Sequence, residues 1–147
     1  MSLIDQIKRV ANYHGSATYN VVEHRWNFSK IAETRKGVYI FVEKGGNDIL
    51  KIGKADGKMG ISQRANEYRA NSRGFLTIPS SSASVIKRMQ ETELRQLEIE
   101  IYYIPIDPVQ MTVAGFNVLA SPARELEHAL HTTAREEGHS LRFSKQR

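Results

Sequence analysis

Two short apolar alternations separated by a glycine-rich turn constrain this chain more than any other feature. Val38, Ile40 and Val42 alternate with Tyr39 and Phe41, the period of two that sends side chains to opposite faces of a strand. Gly45-Gly46-Asn47-Asp48 follows, and then a second apolar run from Ile49 to Gly53. Glycine, asparagine and aspartate supply turn geometry, so the pattern predicts a β-hairpin over 37–42 and 49–53. That hairpin brings Tyr39 and Lys51 near one another. A helix over 61–71, with Ile61, Ala65 and Tyr68 on one face, can return Arg64 to the same place. A tyrosine, a lysine and an arginine drawn together suit a phosphate group, because arginine presents two parallel donors to its oxygens.

The remaining segments read less sharply. Leu3, Ile4, Ile7, Val10 and Ala11 recur near a 3.6-residue period and predict a helix over 3–14. Thr18 to Val22 fits a strand, and Trp26 and Phe28 fit buried anchors. The serine-rich stretch at 80–84 fits a loop or the entrance to a helix over 84–93. Leu97, Ile99, Ile101 and Tyr103 alternate with Glu98, Glu100, Tyr102 and Ile104, predicting a third strand over 97–104 with the glutamates on a solvated face. Residues 109–120 read as a connector with some apolar content. Ser121-Pro122 offers an N-cap and a first-turn proline to a helix that Gly138 ends, with Leu126 and Leu130 as its buried stripe.

Composition narrows the class of partner. The chain has 147 residues, 21 Lys and Arg against 16 Asp and Glu, a net charge of +5 and no cysteine. The basic balance favours polyanions, nucleic acid first. The lack of cysteine removes disulfides, thiol catalysis and thiolate metal sites. No apolar run has membrane-spanning length, and Met1-Ser2-Leu3-Ile4-Asp5 lacks the basic start and apolar core of a signal peptide. The expected location is cytoplasmic. Neither G-x-x-x-x-G-K-[ST] nor G-x-G-x-x-G occurs, so the glycines do not form a nucleotide-binding loop of either kind.

Each candidate residue has a plain structural alternative. Tyr39 is either a sheet-face tyrosine or a group that orients or deprotonates a water, the latter needing nearby positive charge because phenol is a weak acid. Lys51, between Leu50 and Ile52, points away from the core if those two face it; it is then a surface lysine or a phosphate contact. Arg64 and Tyr68, and likewise Glu127 and His131, stand four apart and share a helix face. Glu127 is either a solvated helix edge or the single carboxylate that anchors a divalent cation, with water and phosphate as further ligands. Zinc fits less well, since Glu-x-x-x-His gives two ligands and cysteine is absent.

Taken in order, these segments resemble the GIY-YIG nuclease superfamily, over about Gly37 to Phe143. GVY at 37–39 is similar to its first motif, and KIG at 51–53 to its second. ISQRANEYR at 61–69 resembles its arginine helix, and ARELEHALH at 123–131 its glutamate helix. The KIG form and the ending at His131 are most similar to the phage-associated T5orf172-like branch.

The resemblance implies an α/β (α+β) fold, a small three-stranded antiparallel sheet flanked by helices, with strands near 37–43, 49–53 and 97–104. It implies an endonuclease that hydrolyses DNA phosphodiester bonds with one Mg²⁺ or Mn²⁺. Tyr39 would activate or orient the attacking water, Arg64 would contact the scissile phosphate, Glu127 would hold the metal, and Tyr68 would stand near the reacting group. His131 matches the histidine closing the glutamate helix. Lys51 departs from the tyrosine of the second motif: it can contact phosphate but cannot act as a weak acid at neutral pH. The same residues would also serve a non-catalytic DNA-binding module. The match divides the chain into an N-terminal extension, 1–35, packed on a nuclease domain, 36–147. Within the extension Lys8, His14, His24, Arg25, Lys30 and Arg35 could enlarge a DNA surface. A homodimer would provide two sites for the two strands of a duplex.

Overall fold

The computed structural model describes residues 1–20, 25–28, 30–70, 97–142 and 144, with the side chains of 19, 20, 25, 26 and 67–70 left aside. The stretch considered for a loop or helix over 80–93 lies outside the described residues, as do Phe143 and the side chains of Trp26 and Tyr68.

The elements run in the order α1 (Leu3–Val10), β1 (Asn12–Asn20), β2 (Arg25–Asn27), β3 (Gly37–Glu43), β4 (Ile49–Ala55), α2 (Gly60–Ala70), β5 (Glu98–Pro105), β6 (Val109–Val113), β7 (Phe116–Ala120) and α3 (Ala123–Glu136). This is a mixed α/β fold with helices packed against sheet. The three expected strands are present and adjacent, but the sheet is wider than the three-stranded one expected. Five strands lie in the order β2-β1-β5-β3-β4, and β6 and β7 form a separate two-stranded ribbon. The pairs within the large sheet are all antiparallel. The first helix stops at Val10 rather than 14, and the strand expected to begin near Thr18 begins at Asn12. Thr18 and Ala17 then pair with Glu98 and Ile99 of β5.

Both faces of the large sheet are covered, which is why alternation in β3 and β5 does not separate wet from dry. On one face Tyr39, Phe41, Ile99, Ile101 and Tyr103 pack with Ile61 and Ala65 of α2, with Phe28 and with Ile31. On the other, Val38, Ile40, Ile52 and Tyr102 pack with Leu3, Ile4 and Ile7 of α1 and with Ala123 and Ala134 of α3. Burying side chains of this size contributes roughly 1.5–3 kcal/mol each, so each face is a core in its own right. Lys51 therefore does not reach solvent as a strand-face lysine would: it is 5% exposed. A register shift between Phe41 and Val42 makes Leu50 the extra residue of β4, so Phe41 pairs with Lys51 and Val42 with Ile49.

The ends of the helices are tied across the chain. Ser2 caps α1, accepting from the Asp5 N–H at 3.2 Å and donating to the Asp5 carboxylate at 2.7 Å. The Leu3 N–H donates to the Glu137 carboxylate at 3.1 Å, linking the start of α1 to the end of α3. At the start of α3, Pro122 occupies the N-cap without a side-chain bond, and the Ser121 hydroxyl does not take the capping role read from the sequence. The fully buried residues of α3 are Ala123, His131 and Ala134, with Leu126 and Leu130 only partly covered beside them. No helix among the described residues is long and apolar enough to cross a membrane.

Candidate functional site

The first motif places Tyr39 in the middle of β3, opposite Gly53 of β4 on one side and Tyr103 of β5 on the other. Its ring stacks on Phe41, with centroids 4.9 Å apart, and is 4% exposed. The glycine of the second motif follows from this packing. A β-carbon at Gly53 would overlap the Tyr39 hydroxyl oxygen and the ring carbon bearing it, and would lie 2.8 Å from the adjacent Cε2. Only a residue without a side chain lets the phenol end rest against the β4 backbone. Gly37 meets the same constraint against β5: a β-carbon there would collide with the Ile104 carbonyl and lie 2.9 Å from the Tyr103 hydroxyl. Tyr103 donates to the Arg35 carbonyl at 2.5 Å, and burial pushes its phenol well above the usual range.

Lys51 pairs with Phe41 of β3, two positions before Gly53 on β4, on the face that carries Tyr39. Helix α2 covers that same face through Ile61 and Ala65. Arg64 lines a small polar cavity of 110 Å³ with Ala55, Asp56, Gly57, Gly60 and Gln63. Asp56 was not singled out by the sequence, where Asp56-Gly57 signals only a turn. Here a hydrogen bond from Lys54, whose Nζ is 3.1 Å away, holds its carboxyl below the usual range, with the Arg64 charge a smaller cause. Tyr39, Lys51 and Gly53 thus share one side of the sheet, the side covered by the helix that carries Arg64.

Glu127 and His131 belong to the helix over the other face. His131 is 1% exposed and its Nε2 is 3.0 Å from the Ile52 carbonyl and 3.2 Å from the Ser144 hydroxyl. The carbonyl can only accept, so Nε2 carries the proton. Nδ1 is buried without a hydrogen-bond partner, which suits a lone pair better than a second N–H. Desolvation, the main cause, lowers the His131 pKa against the opposing pull of the Ile52 carbonyl and the Glu127 charge. The ring is neutral and pins α3 to β4. Ser144, which shares the contact, carries no signal in the sequence beyond its polarity.

Glu127 lies one helical turn before His131, half-buried, in a cavity of 370 Å³ lined also by Arg124, Glu125 and His128. His131 meets Ile52, while His139 and Leu141 meet Ile49. Glu127 rides on α3, over the face opposite the one that carries Tyr39 and Lys51 and that α2 covers, whereas Arg64 lines its cavity with Ala55 and Asp56. Among the described residues, no group of three or more His, Cys, Asp or Glu is arranged to hold a metal ion. The donors at Glu127 do not fit a cation caged by protein alone. They do fit a hard cation such as Mg²⁺, which keeps several waters and needs one or two carboxylates.

No family model and no curated protein matches the sequence. Solved structures do. Bacteriophage T4 EndoII, as a point mutant, is similar over 90% of this chain and 94% of its own, with a TM-score of 0.53 and 13% identity. The restriction endonuclease HPY188I in complex with product DNA is similar over 94% of this chain and 82% of its own, with a TM-score of 0.44 and 15% identity. At such identities the EndoII likeness is one of fold, and the second superposition is looser still.

Proposed function

We propose that the protein is a metal-dependent endonuclease of GIY-YIG type that hydrolyses DNA phosphodiester bonds. The observation that carries this reading is the convergence of Tyr39, Lys51 and Gly53 on the sheet face that α2 covers, with Arg64 opening onto a polar cavity at the end of β4. The fold shared with bacteriophage T4 EndoII supports it, as does the net charge of +5. In this reading residues 36–147 carry the nuclease residues, and residues 1–35, expected as an extension, supply α1, β1 and β2 to the same sheet and cores.

Arg64 binds the scissile phosphate and stabilises the charge that grows on its oxygens. Tyr39 would orient the attacking water, with Lys51 on the same sheet face as a phosphate contact. Gly53 and Phe41 hold the Tyr39 ring in one position. Glu127 would hold Mg²⁺ or Mn²⁺ through one carboxylate. A cation held there would supply Lewis acidity. Tyr68, four residues after Arg64, is carried over from the family resemblance alone as a group that would act near the reacting phosphate. His131, neutral and enclosed, fixes the helix that carries Glu127 rather than touching substrate. DNA is the partner, and the T5orf172-like branch, with its lysine second motif, is the nearest pattern within the superfamily.

Purified protein with Mg²⁺ or Mn²⁺ should cut at least one of supercoiled, linear, branched or single-stranded DNA. Arg64→Ala should lower the rate on the order of 10²–10³-fold. Glu127→Gln should abolish cleavage while DNA binding is retained. Binding without turnover in the unmodified protein, on every substrate form, would instead establish the non-catalytic DNA-binding module.

A further inference from the structure

The segment between β5 and α3 forms a ribbon with one wholly apolar face. Val109 pairs with Ala120, Met111 with Val118 and Val113 with Phe116, and these six side chains alternate to the same side. Gln110, Thr112, Asn117 and Leu119 take the other side. The turn is tight, with Ala114 and Gly115 both at positive φ, 50° and 82°. Every residue of β6 is exposed, as are those of β7 up to Leu119; Phe116 is 73% exposed and Leu119 72%. An isolated two-stranded ribbon is marginal in water, and exposed contiguous apolar patches of this kind mark interaction surfaces.

The chemistry of the ribbon selects its partner. Residues 109–120 contain no charged side chain in a chain whose net charge is +5. A surface without cations neutralises no phosphate, so it is not a nucleic-acid contact. It also lacks the Lys, Arg and Trp that anchor an element at a membrane surface. Two copies of a basic chain repel one another over most of their surface, and the uncharged ribbon is where they can meet without that cost. The largest apolar patches on monomers span about 300–600 Å². Two such faces together bury about 600–1,200 Å², a range that reaches the ~1,000 Å² of a specific interface.

We propose that the β6–β7 ribbon is a dimerisation surface, two copies meeting face to face through Val109, Met111, Val113, Phe116, Val118 and Ala120. The arrangement is two-fold and self-complementary, so each substitution acts twice. Pro108 and Pro122 bracket the ribbon, joining it directly to β5 and to the helix that carries Glu127.

Sedimentation velocity of the full chain, over about 1 to 100 μM, tests this by mass and independently of any cleavage. The expected result is a species of twice 16.7 kDa that grows with concentration. Val118→Glu should raise the dissociation constant roughly tenfold or more. Thr112→Glu, the same charge on the opposite face, should leave it unchanged, and mixing Val118→Glu with Val118→Lys should restore association. Circular dichroism melts confirm that the variants fold. A single 16.7 kDa species throughout, equal weakening by Val118→Glu and Thr112→Glu, or binding to neutral phosphatidylcholine vesicles by a protein that stays monomeric would overturn the proposal.

Discussion

At the scale of single residues, the two motif glycines are steric requirements of the tyrosines beside them. Gly53→Ala places a methyl against the Tyr39 phenol inside a filled core. It should cost about 1–3 kcal/mol in urea unfolding and displace the ring, so activity should fall further than stability alone accounts for. His131 is a second such position. Its folded pKa lies below the ordinary value, so the unfolded chain binds more protons near neutrality. Its stabilising contribution is full above about pH 6.5 and fades as pH falls through the folded value. His131→Gln, which keeps a donor for the Ile52 carbonyl, should flatten the acid side of a stability–pH curve; an unchanged slope would place the titrating group elsewhere. The strand face shared by Tyr39 and Phe41 was legible in the sequence because alternation fixes it. The burial of Lys51 was not, because strand alternation says nothing about whether a second layer covers the other face.

Among the elements, the helices owe their placement to long-range contacts that no local pattern encodes. The link from the Leu3 N–H to the Glu137 carboxylate spans 134 positions. Glu137→Ala should cost about 1 kcal/mol and raise hydrogen exchange in the first turn of α1 more than in β3. The β3–β4 hairpin and β5 were readable from period and turn chemistry. The β6–β7 ribbon also alternates, Val-Gln-Met-Thr-Val and Phe-Asn-Val-Leu-Ala around Ala114-Gly115, yet its apolar content reads as a connector. The period is present; what misleads is the assumption that an apolar run needs a core to face. The first strand is read only from Thr18 onward for a different reason. Asn12–Asn20 is polar and glycine-containing, and pairing with β5 rather than propensity makes it a strand.

For the whole molecule, the N-terminal residues are part of the sheet and of both cores. Leu3, Ile4 and Ile7 pack beneath Val38 and Ile40, while Ala17, Phe28 and Ile31 join the Tyr39 side. Removing residues 1–35 should abolish the cooperative thermal transition, and a truncated chain that melts sharply would show that 36–147 folds alone. The outer strand of the sheet carries one more consequence. On β4 the Ile49 N–H donates to His139, the Ile49 carbonyl accepts from Leu141, and the Ile52 carbonyl accepts from His131. Three of the edge groups that would otherwise recruit a foreign strand are thus occupied. Loosening the segment after α3 would therefore free the Ile49 N–H and carbonyl for pairing by another strand.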